Sequence, residues 1–165
     1  MKKIPTQKRL MELVSYDKDT GYFIRLVKTN RNNIVGRRVG SNAERGYRRI
    51  CIDGIDYREH RLAWLYMTGK WPVNEIDHIN GRRDDNRFIN LREASGKLNS
   101  ENQRLAKRNN KLGILGVTKD KNSNLYRAVI DVNGKQKFLG RYDSPEKAHL
   151  AYLEAKRKYH KGCTI

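Results

Sequence analysis

The chain of 165 residues has little cysteine and no long apolar segment. Its two cysteines, Cys51 and Cys163, stand far apart without a CxxC pair or a Cys/His cluster. This excludes a disulfide framework and a cysteine-based zinc site. No run approaches the roughly 18 consecutive apolar residues that a membrane-spanning helix needs, and the first residues, MKKIPTQKRL, lack the apolar stretch of a secretory signal. We therefore expect a soluble protein of a reducing compartment, the cytoplasm, with no membrane partner.

Acidic side chains are scarce relative to basic ones. The chain holds 36 Lys and Arg against 18 Asp and Glu, a formal charge of +18. Residues 1–55 hold 13 basic and 5 acidic side chains and residues 104–165 hold 15 and 5, whereas residues 56–103 hold 8 of each. Clustered Lys and Arg favour a phosphate-bearing partner, above all nucleic acid. The carboxylates of the neutral middle third suit a segment that holds a divalent cation against a phosphate.

Turn signals predict two β-hairpins in the N-terminal third. The first turn, at residues 17–21, reads DKDTG, and the second is the dipeptide Asp53–Gly54, which matches the twist of paired strands. The four flanking strands are expected at residues 13–16, 22–26, 47–52 and 55–58. Between the hairpins, the polar and basic residues 28–46 are expected to form a loop or arm that orders on its ligand.

The middle of the chain has weaker periodicity. Residues 60–68 carry apolar positions at helical spacing before Gly69 and predict a short buried helix. Residues 75–79 are expected to form a short strand, followed by an exposed polar loop. A further helix is expected to begin at Ser95 and to run toward Arg108.

The C-terminal segment is the most regular part of the chain. Asn133–Gly134 between residues 126–132 and 135–142 is a strong hairpin signal. Residues 116–119 can supply a third strand, and Ser144–Pro145 combines an N-cap with proline at the first helical position. These patterns predict a three-stranded antiparallel sheet with one helix across its back.

Asp77–His78 combines two residue types that phosphodiester hydrolysis requires. A carboxylate holds a hard cation through oxygen, and a neutral imidazole accepts a proton from water near pH 7. The stretch DHINGRRDDNRFINLREASGKLNSEN, with the upstream segment YREHRLAW, resembles the HNH endonucleases, specifically the phage and intron-associated homing type. The resemblance covers residues 57–102, and it matches at Asp77, His78, Asn86, Asn90, Leu91, Asn99 and Asn102.

This resemblance implies a ββα-metal fold and a role for each matched residue. Asp77 and Asn99 would bind one divalent cation, and His78 would be the general base that activates water. Asn90, placed on the second strand, would tie the loop between the strands so that His78 is aimed correctly. Only two oxygen ligands come from the protein, which favours Mg²⁺ or Mn²⁺ over zinc.

Two assignments have alternatives. Asn102 lies one helical turn beyond Asn99 on nearly the same face and could be the second ligand instead, although motif spacing favours Asn99. His60 is a rival candidate for the general base, but a histidine at a helix start more often hydrogen-bonds to the backbone.

The segment GVTKDKNSNLYRAVIDVNGKQKFLGRYDSPEKAHLAY resembles the plant ethylene-response-factor type of DNA-binding domain. The matches are Gly116, Val117, Leu139, Gly140, Ala148, Ala151 and Tyr152. That family lays its sheet in the DNA major groove, but Tyr126 stands where the family has a tryptophan. By strand alternation, Ala128, Ile130 and Val132 face the helix, while Arg127, Val129 and Asp131 face outward. The expected DNA contacts are Arg48, Arg49, Arg82, Arg83, Lys119, Lys121, Arg127, Lys137 and Arg141.

Together these patterns predict an α+β protein with N-terminal β-hairpins, a central ββα-metal nuclease motif and the C-terminal sheet with its helix. The predicted domains are residues 1–55, 56–108 and 109–165. The predicted function is a metal-dependent endonuclease acting on double-stranded DNA as a monomer, in a bacterial host cell if phage-encoded, with no protein partner implied. A DNA-binding regulator with a vestigial nuclease motif, and third a structural RNA-binding protein, are the alternatives.

Overall fold

The computed structural model describes residues 4–29, 31 and 34–165. The chain divides into two compact units, Met1–Ser95 and Gly96–Ile165. The architecture is α+β, with small antiparallel sheets and short helices, as predicted. Among the described residues, no helix combines the length and the apolar character needed to cross a membrane.

The first unit begins with a short helix, a hairpin and a three-stranded sheet. Thr6 caps the first helix by accepting a hydrogen bond from Arg9 N at 3.1 Å. The next elements confirm both predicted hairpins and the predicted helix at 60–68. The elements are α1 (Gln7–Leu13), β1 (Val14–Asp17), β2 (Tyr22–Arg25), β3 (Ser41–Asn42), β4 (Arg48–Ile52), β5 (Ile55–Arg58) and α2 (Glu59–Thr68).

The remaining part of this unit is a second strand pair. Strands β6 (Glu75–His78) and β7 (Leu91–Ala94) are antiparallel, with Asp77 opposite Arg92 and His78 opposite Leu91. A polar loop and a single 3-10 turn, Phe88–Asn90, join the two strands. Asn90 thus immediately precedes β7 instead of lying on it, which corrects the predicted placement.

One hydrophobic core holds the first unit together. It gathers apolar side chains from α1, the β1–β2 hairpin, β4, α2 and the β6–β7 pair. Its most buried members are Leu10, Val14, Phe23, Ile50, Leu62 and Leu65. Because burying one such side chain stabilises the fold by about 1.5–3 kcal/mol, this core fixes how β6 sits against α2.

The segment expected to be an arm is partly packed against the first hairpin. Val39 is buried, and its backbone N–H donates to Phe23 O at 2.8 Å. Arg25 N also donates to Arg37 O, at 2.9 Å. Of the two forms expected for residues 28–46, the described part is mostly a loop, and its C-terminal half packs on the hairpin. Residues 30, 32 and 33 lie outside the described part of the chain.

The second unit confirms the predicted sheet and helix. Its elements are α3 (Gly96–Glu101), β8 (Val117–Lys119), β9 (Tyr126–Val132), β10 (Lys135–Tyr142) and α4 (Pro145–Tyr159). The sheet order is β10-β9-β8, all antiparallel. Ala128 and Ile130 are buried toward α4 and Arg127 and Asp131 are exposed, so the alternation along β9 is as predicted.

Helix α3 ends at Glu101, well short of the predicted Arg108. The residues after it are held by the C-terminal tail: Thr164 Oγ1 donates to Asn102 Oδ1 at 2.6 Å, and Arg104 Nη2 donates to Thr164 Oγ1 at 2.7 Å. Buried Lys156 donates from Nζ to Gln103 O. These contacts tie residues 102–104 to α4 and to the C-terminal tail.

The division between the units falls between Ser95 and Gly96. The predicted boundaries stood at 55/56 and 108/109 instead. The N-terminal hairpins share their core with α2 and the β6–β7 pair, and α3 is bonded to the C-terminal tail. The three-domain division remains a prediction.

Candidate active site

Asp77 and His78 are both buried at the end of β6. Asp77 is 5% exposed and His78 3% exposed. Asp77 Oδ2 accepts hydrogen bonds from Arg92 Nε at 2.9 Å and Arg92 Nη2 at 2.8 Å across the strand pair. A buried carboxylate with a paired guanidinium retains its charge. Asp77 is therefore a buried anion next to His78.

The imidazole of His78 is oriented by an asparagine. His78 Nε2 lies 3.0 Å from Asn86 Oδ1, and both residues are buried. Burial lowers the pKa of His78, while Asn86 and the carboxylates of Asp77 and Asp85 act in the opposite direction. The ring is therefore neutral near pH 7, which is the state of a proton acceptor.

His60 lies against His78. The two ring centroids are 5.0 Å apart with the planes at 80°, and Tyr47 lies 5.3 Å from His60 and 6.0 Å from His78. Burial, followed by the nearby His78 ring, lowers the pKa of His60 to about 3. Among the described residues, His60 Nδ1 has no hydrogen-bond partner. The expected backbone hydrogen bond at this nitrogen is therefore not made.

The loop between β6 and β7 is tied by side-chain amides. Asn90 Oδ1 accepts from Asn80 N at 2.9 Å, and Asn90 Nδ2 donates to Asp85 O at 2.8 Å. The Asp85 carboxylate accepts from Asn80 Nδ2 at 2.7 Å and from Arg87 Nη2 at 2.6 Å. The Arg87 and Asn80 hydrogen bonds lower the pKa of Asp85 to about 2. These bonds fix the path of the loop that carries Asn86.

The first hairpin supports this loop from outside the motif. Tyr16 Oη donates to Asn86 O at 2.6 Å, and Phe88 N donates to Lys18 O at 3.0 Å. Gly21, at φ +74°, allows the hairpin turn to approach closely, because a Cβ there would stand 2.4 Å from Arg87 N. The N-terminal hairpin thus helps to position Asn86.

A buried carboxylate lies next to Asn86. Glu59, at the start of α2, is fully buried, and its Oε2 accepts from Arg48 Nε at 2.8 Å. Its Oε1 lies 4.0 Å from Arg38 Nη2. Burial raises the pKa of Glu59, and Arg48, Arg38 and Asn86 oppose that shift. Sequence reasoning did not select Glu59, because a glutamate in a first helical turn is ordinary.

Residues 57–103 match the family model of the HNH endonucleases. The matched segment, which is similar to this family, covers a little over a quarter of the sequence. It includes Asp77, His78, Asn90 and both candidate ligands, Asn99 and Asn102. No curated protein and no solved structure matches the chain significantly.

The two candidate ligands after the strand pair differ within the second unit. Asn99 lies on α3 and is half-buried. Asn102 is 3% exposed, and its side-chain oxygen accepts from Thr164 at 2.6 Å. The oxygen of Asn102 is thus committed to the C-terminal tail.

The candidate DNA contacts of the first unit have different surroundings. Arg48 is committed to Glu59 in the interior, whereas Arg49 and Arg82 are exposed beside carboxylates. Arg83 donates to Arg45 O at 3.1 Å and lies 5.1 Å from the Tyr47 ring. A cleft of about 450 Å³ opens here, and its charged lining residues are Arg38, Arg48, Arg82, Asp84, Asp85 and Arg87.

In the second unit the candidate contacts divide between the two faces of the sheet. Arg127 and Arg141 are paired across β9 and β10 and lie 5.6 and 5.7 Å from the exposed ring of Phe138. Lys119 and Lys121, on and just after β8, are exposed. Lys137 donates to Tyr159 on α4 at 2.8 Å, so it lies on the helix side of the sheet.

Proposed function

We propose that the protein is a metal-dependent HNH endonuclease that hydrolyses a phosphodiester bond of double-stranded DNA, with His78 as the general base. The observation that carries this proposal is the buried pair at the end of β6: a neutral His78 held at Nε2 beside the charged Asp77. The HNH match over the same residues supports it.

The proton step follows from the contacts of His78. Because Nε2 is engaged with Asn86, Nδ1 is the ring nitrogen that takes the proton of the attacking water. Asn90 supports this step from the loop by fixing Asn80 and Asp85. A correctly aimed general base contributes about 10²- to 10⁴-fold to the rate.

Asp77 and Asn99 are the residues that we propose to hold one Mg²⁺ or Mn²⁺. The donor set fits, because a carboxylate and an amide oxygen are hard ligands and Mg²⁺ is usually bound through one or two carboxylates with water and phosphate. Among the described residues, no group of three or more His, Cys, Asp or Glu side chains is placed to hold a metal ion, so the cation would take its remaining ligands from water and phosphate. When bound, the cation would stabilise negative charge on the phosphate and the leaving oxygen.

The flanking basic regions are proposed to bind the DNA. In the second unit, the open sheet face carries Arg127 and Arg141 around Phe138, an arrangement that supports the proposed likeness to the ethylene-response-factor domains. In the first unit, exposed Arg49, Arg82 and Arg83 are proposed to contact phosphates. Arg48 and Lys137 have intramolecular partners instead.

The type of endonuclease, its oligomeric state and its location are also proposed. We propose a homing endonuclease of the phage type, acting as a monomer in the cytoplasm of a bacterial cell. A monomer with one active site would cut one strand at each encounter.

The testing experiment compares wild-type protein with His78→Ala on phage or host-type genomic DNA, with Mg²⁺, with Mn²⁺ and with chelator. We expect metal-dependent breaks that the variant loses while it retains DNA binding. His160→Ala removes an imidazole outside the motif and should cut at the wild-type rate. Wild-type cleavage by His78→Ala would contradict the assignment. Tight binding without cleavage by any of the proteins would favour the DNA-binding regulator.

A further inference from the structure

Two polar pairs lie inside the first unit, Arg48 with Glu59 and Asn86 with His78. Arg48 on β4 donates to Glu59 Oε2 at 2.8 Å, and Asn86 Oδ1 lies 3.0 Å from His78 Nε2. Glu59 is fully buried and Asn86 is 1% exposed. These residues all lie within the first unit.

Glu59 of the first pair lies next to Asn86 of the second pair. Glu59 Oε1 and Asn86 Nδ2 are buried, and neither atom has a partner at hydrogen-bond geometry among the described residues. The Asn86 side chain nevertheless lies within hydrogen-bonding reach of the Glu59 carboxylate, and this contact opposes the burial that raises the pKa of Glu59. A buried carboxylate oxygen and a buried amide N–H that face each other are a natural acceptor and donor.

We propose that Glu59, held by Arg48, is a positioning residue that sets the tautomer of His78 through the side-chain amide of Asn86. This inference rests on the proposed function for its catalytic consequence, but the tautomer itself is a property of the folded protein.

The guanidinium of Arg48 can only donate hydrogen bonds. An ionised Glu59 can only accept, so the Asn86 amide turns its N–H₂ group toward Glu59. Its carbonyl oxygen therefore points to His78, where it requires an N–H at Nε2. A neutral imidazole protonated at Nε2 carries its lone pair on Nδ1, the nitrogen that the proposed mechanism uses.

The backbone geometry leaves Asn86 little other freedom. Its carbonyl accepts from Tyr16 Oη at 2.6 Å, and the Gly21 turn packs against it. The remaining choice is which end of the amide faces Glu59, and the charge of Glu59 makes that choice.

Replacing Glu59 by glutamine should invert the amide. In Glu59→Gln, the glutamine oxygen stays with Arg48 and its N–H₂ group faces Asn86. Asn86 must then turn its oxygen to the glutamine and its N–H₂ group to His78. The proton of His78 moves to Nδ1, and the general base is lost.

A second substitution should restore the original tautomer. In the double variant Glu59→Gln/Asn86→Asp, the carboxylate introduced at position 86 accepts from the glutamine and from His78 Nε2–H. Glu12→Gln is the matched control, because it removes a carboxylate that pairs with Arg9 on the exposed face of α1.

The experiment combines ¹⁵N-histidine NMR of the full chain at pH 7 with kcat and KM for DNA cleavage. We expect an Nε2–H signal for His78 in the wild type and in Glu12→Gln, and an Nδ1–H signal in Glu59→Gln. The kcat of Glu59→Gln should fall about 10²- to 10⁴-fold at unchanged KM. The double variant should return to Nε2–H and to within about 10-fold of the wild-type kcat.

Two results would overturn the inference. The first is an Nδ1–H tautomer in the wild type, which would also show that Glu59 is not an ionised acceptor. The second is a Glu59→Gln variant that keeps both Nε2–H and the wild-type kcat. If Glu59→Gln does not fold, the tautomer of His78 in the wild-type spectrum still tests the inference. A wild-type protein that does not cut DNA would contradict the proposed function and leave the NMR result to decide the inference.

Discussion

Asn99 and Asn102 lie three positions apart, and their side chains have different surroundings. Asn99 is half-buried on α3, whereas the oxygen of Asn102 accepts from the Thr164 hydroxyl. An amide oxygen that holds the C-terminal tail is a poor candidate for a metal ligand. The structure therefore supports Asn99 as the proposed ligand and a structural role for Asn102.

This difference predicts opposite results for two alanine variants. Asn99→Ala should lose the cleavage that Mn²⁺ supports, even in its folded fraction. Asn102→Ala should lose about 1–3 kcal/mol of stability, because it leaves a hydroxyl without its acceptor, while the folded fraction still cuts. Urea titrations and cleavage rates over a range of Mn²⁺ concentrations measure both properties. A stable Asn102→Ala that no longer responds to Mn²⁺ would reverse the assignment.

Asp85 predicts how the first unit responds to acid. Its pKa is lowered to about 2 in the folded protein by Arg87 and Asn80, from an ordinary value of 3.8. A lowered folded-state pKa stabilises the fold above pH 4, and this contribution disappears as the pH falls from about 4 to about 2. We expect a loss of about 1 kcal/mol over that range, because Arg87 is half-exposed and solvent screens the pair.

The measurement is the urea midpoint of wild type and Asp85→Asn between pH 7 and pH 2.5. Asp85→Asn should be less stable at pH 7 and should lose less stability on acidification. Asp84→Asn is the control, since Asp84 is exposed and stands 3.8 Å from Arg82. Parallel curves for wild type and Asp85→Asn would show that the Asp85 contacts do not stabilise the fold.

At the scale of elements, the β1–β2 hairpin lies outside the family match yet contacts the loop that carries Asn86. Gly21→Ala tests this dependence, because its Cβ would collide with the backbone of Asn86 and Arg87. We expect a loss of about 3 kcal/mol or more from strain and overpacking, and a kcat at least 10-fold lower in the folded fraction. The measurements are urea unfolding and single-turnover cleavage.

Gly54→Ala is the matched control for this prediction. Gly54 has a φ of +78°, close to the +74° of Gly21, but its Cβ would meet nothing within 4 Å. It should therefore show only the conformational cost of about 1–2 kcal/mol and keep the wild-type kcat. Equal effects of the two substitutions would mean that the hairpin contact does not support the site.

Elements specified by local chemistry could be predicted from the sequence. Asp53–Gly54 and Asn133–Gly134 occupy positive φ values, as the hairpin pattern requires. Helix α1 was missed, because its two buried residues, Leu10 and Leu13, are too few to show helical periodicity. The residues just after α3 bond to Thr164, some 60 residues away, and no local pattern reports such a contact.

Some residues of the candidate site could be predicted from the sequence, and others could not. Motif spacing selected Asp77, His78 and Asn90, because a chemical role demands those residue types in that order. It did not select Glu59. The contact between the Glu59 and Asn86 side chains forms only when α2 and the β6–β7 loop pack on one core. Contacts between distant segments depend on the whole packing arrangement, so single-sequence patterns do not encode them in readable form.

For the whole molecule, a formal charge of +18 is concentrated in the regions on both sides of a neutral HNH segment. In the proposed function, DNA affinity should therefore come from the flanking regions, and the HNH segment should contribute the chemistry. On the open sheet face of the second unit, Arg127 lies next to Phe138, and Lys121 is exposed after β8. Each phosphate contact releases counterions, so affinity must fall with salt.

The salt dependence of DNA affinity tests whether the sheet face of the second unit binds phosphates. Arg127→Ala and Lys121→Ala should each reduce the slope of log K against log salt concentration by about 1, since each removes one proposed phosphate contact. Lys147→Ala is the control, because Lys147 pairs with Asp143 at the start of α4 and lies off the sheet face. Fluorescence anisotropy on a DNA duplex between about 50 and 200 mM salt measures the slopes. Equal slopes for all three variants and the wild type would show that the sheet face does not bind the DNA backbone. The arginines of the first unit would then be the expected phosphate contacts.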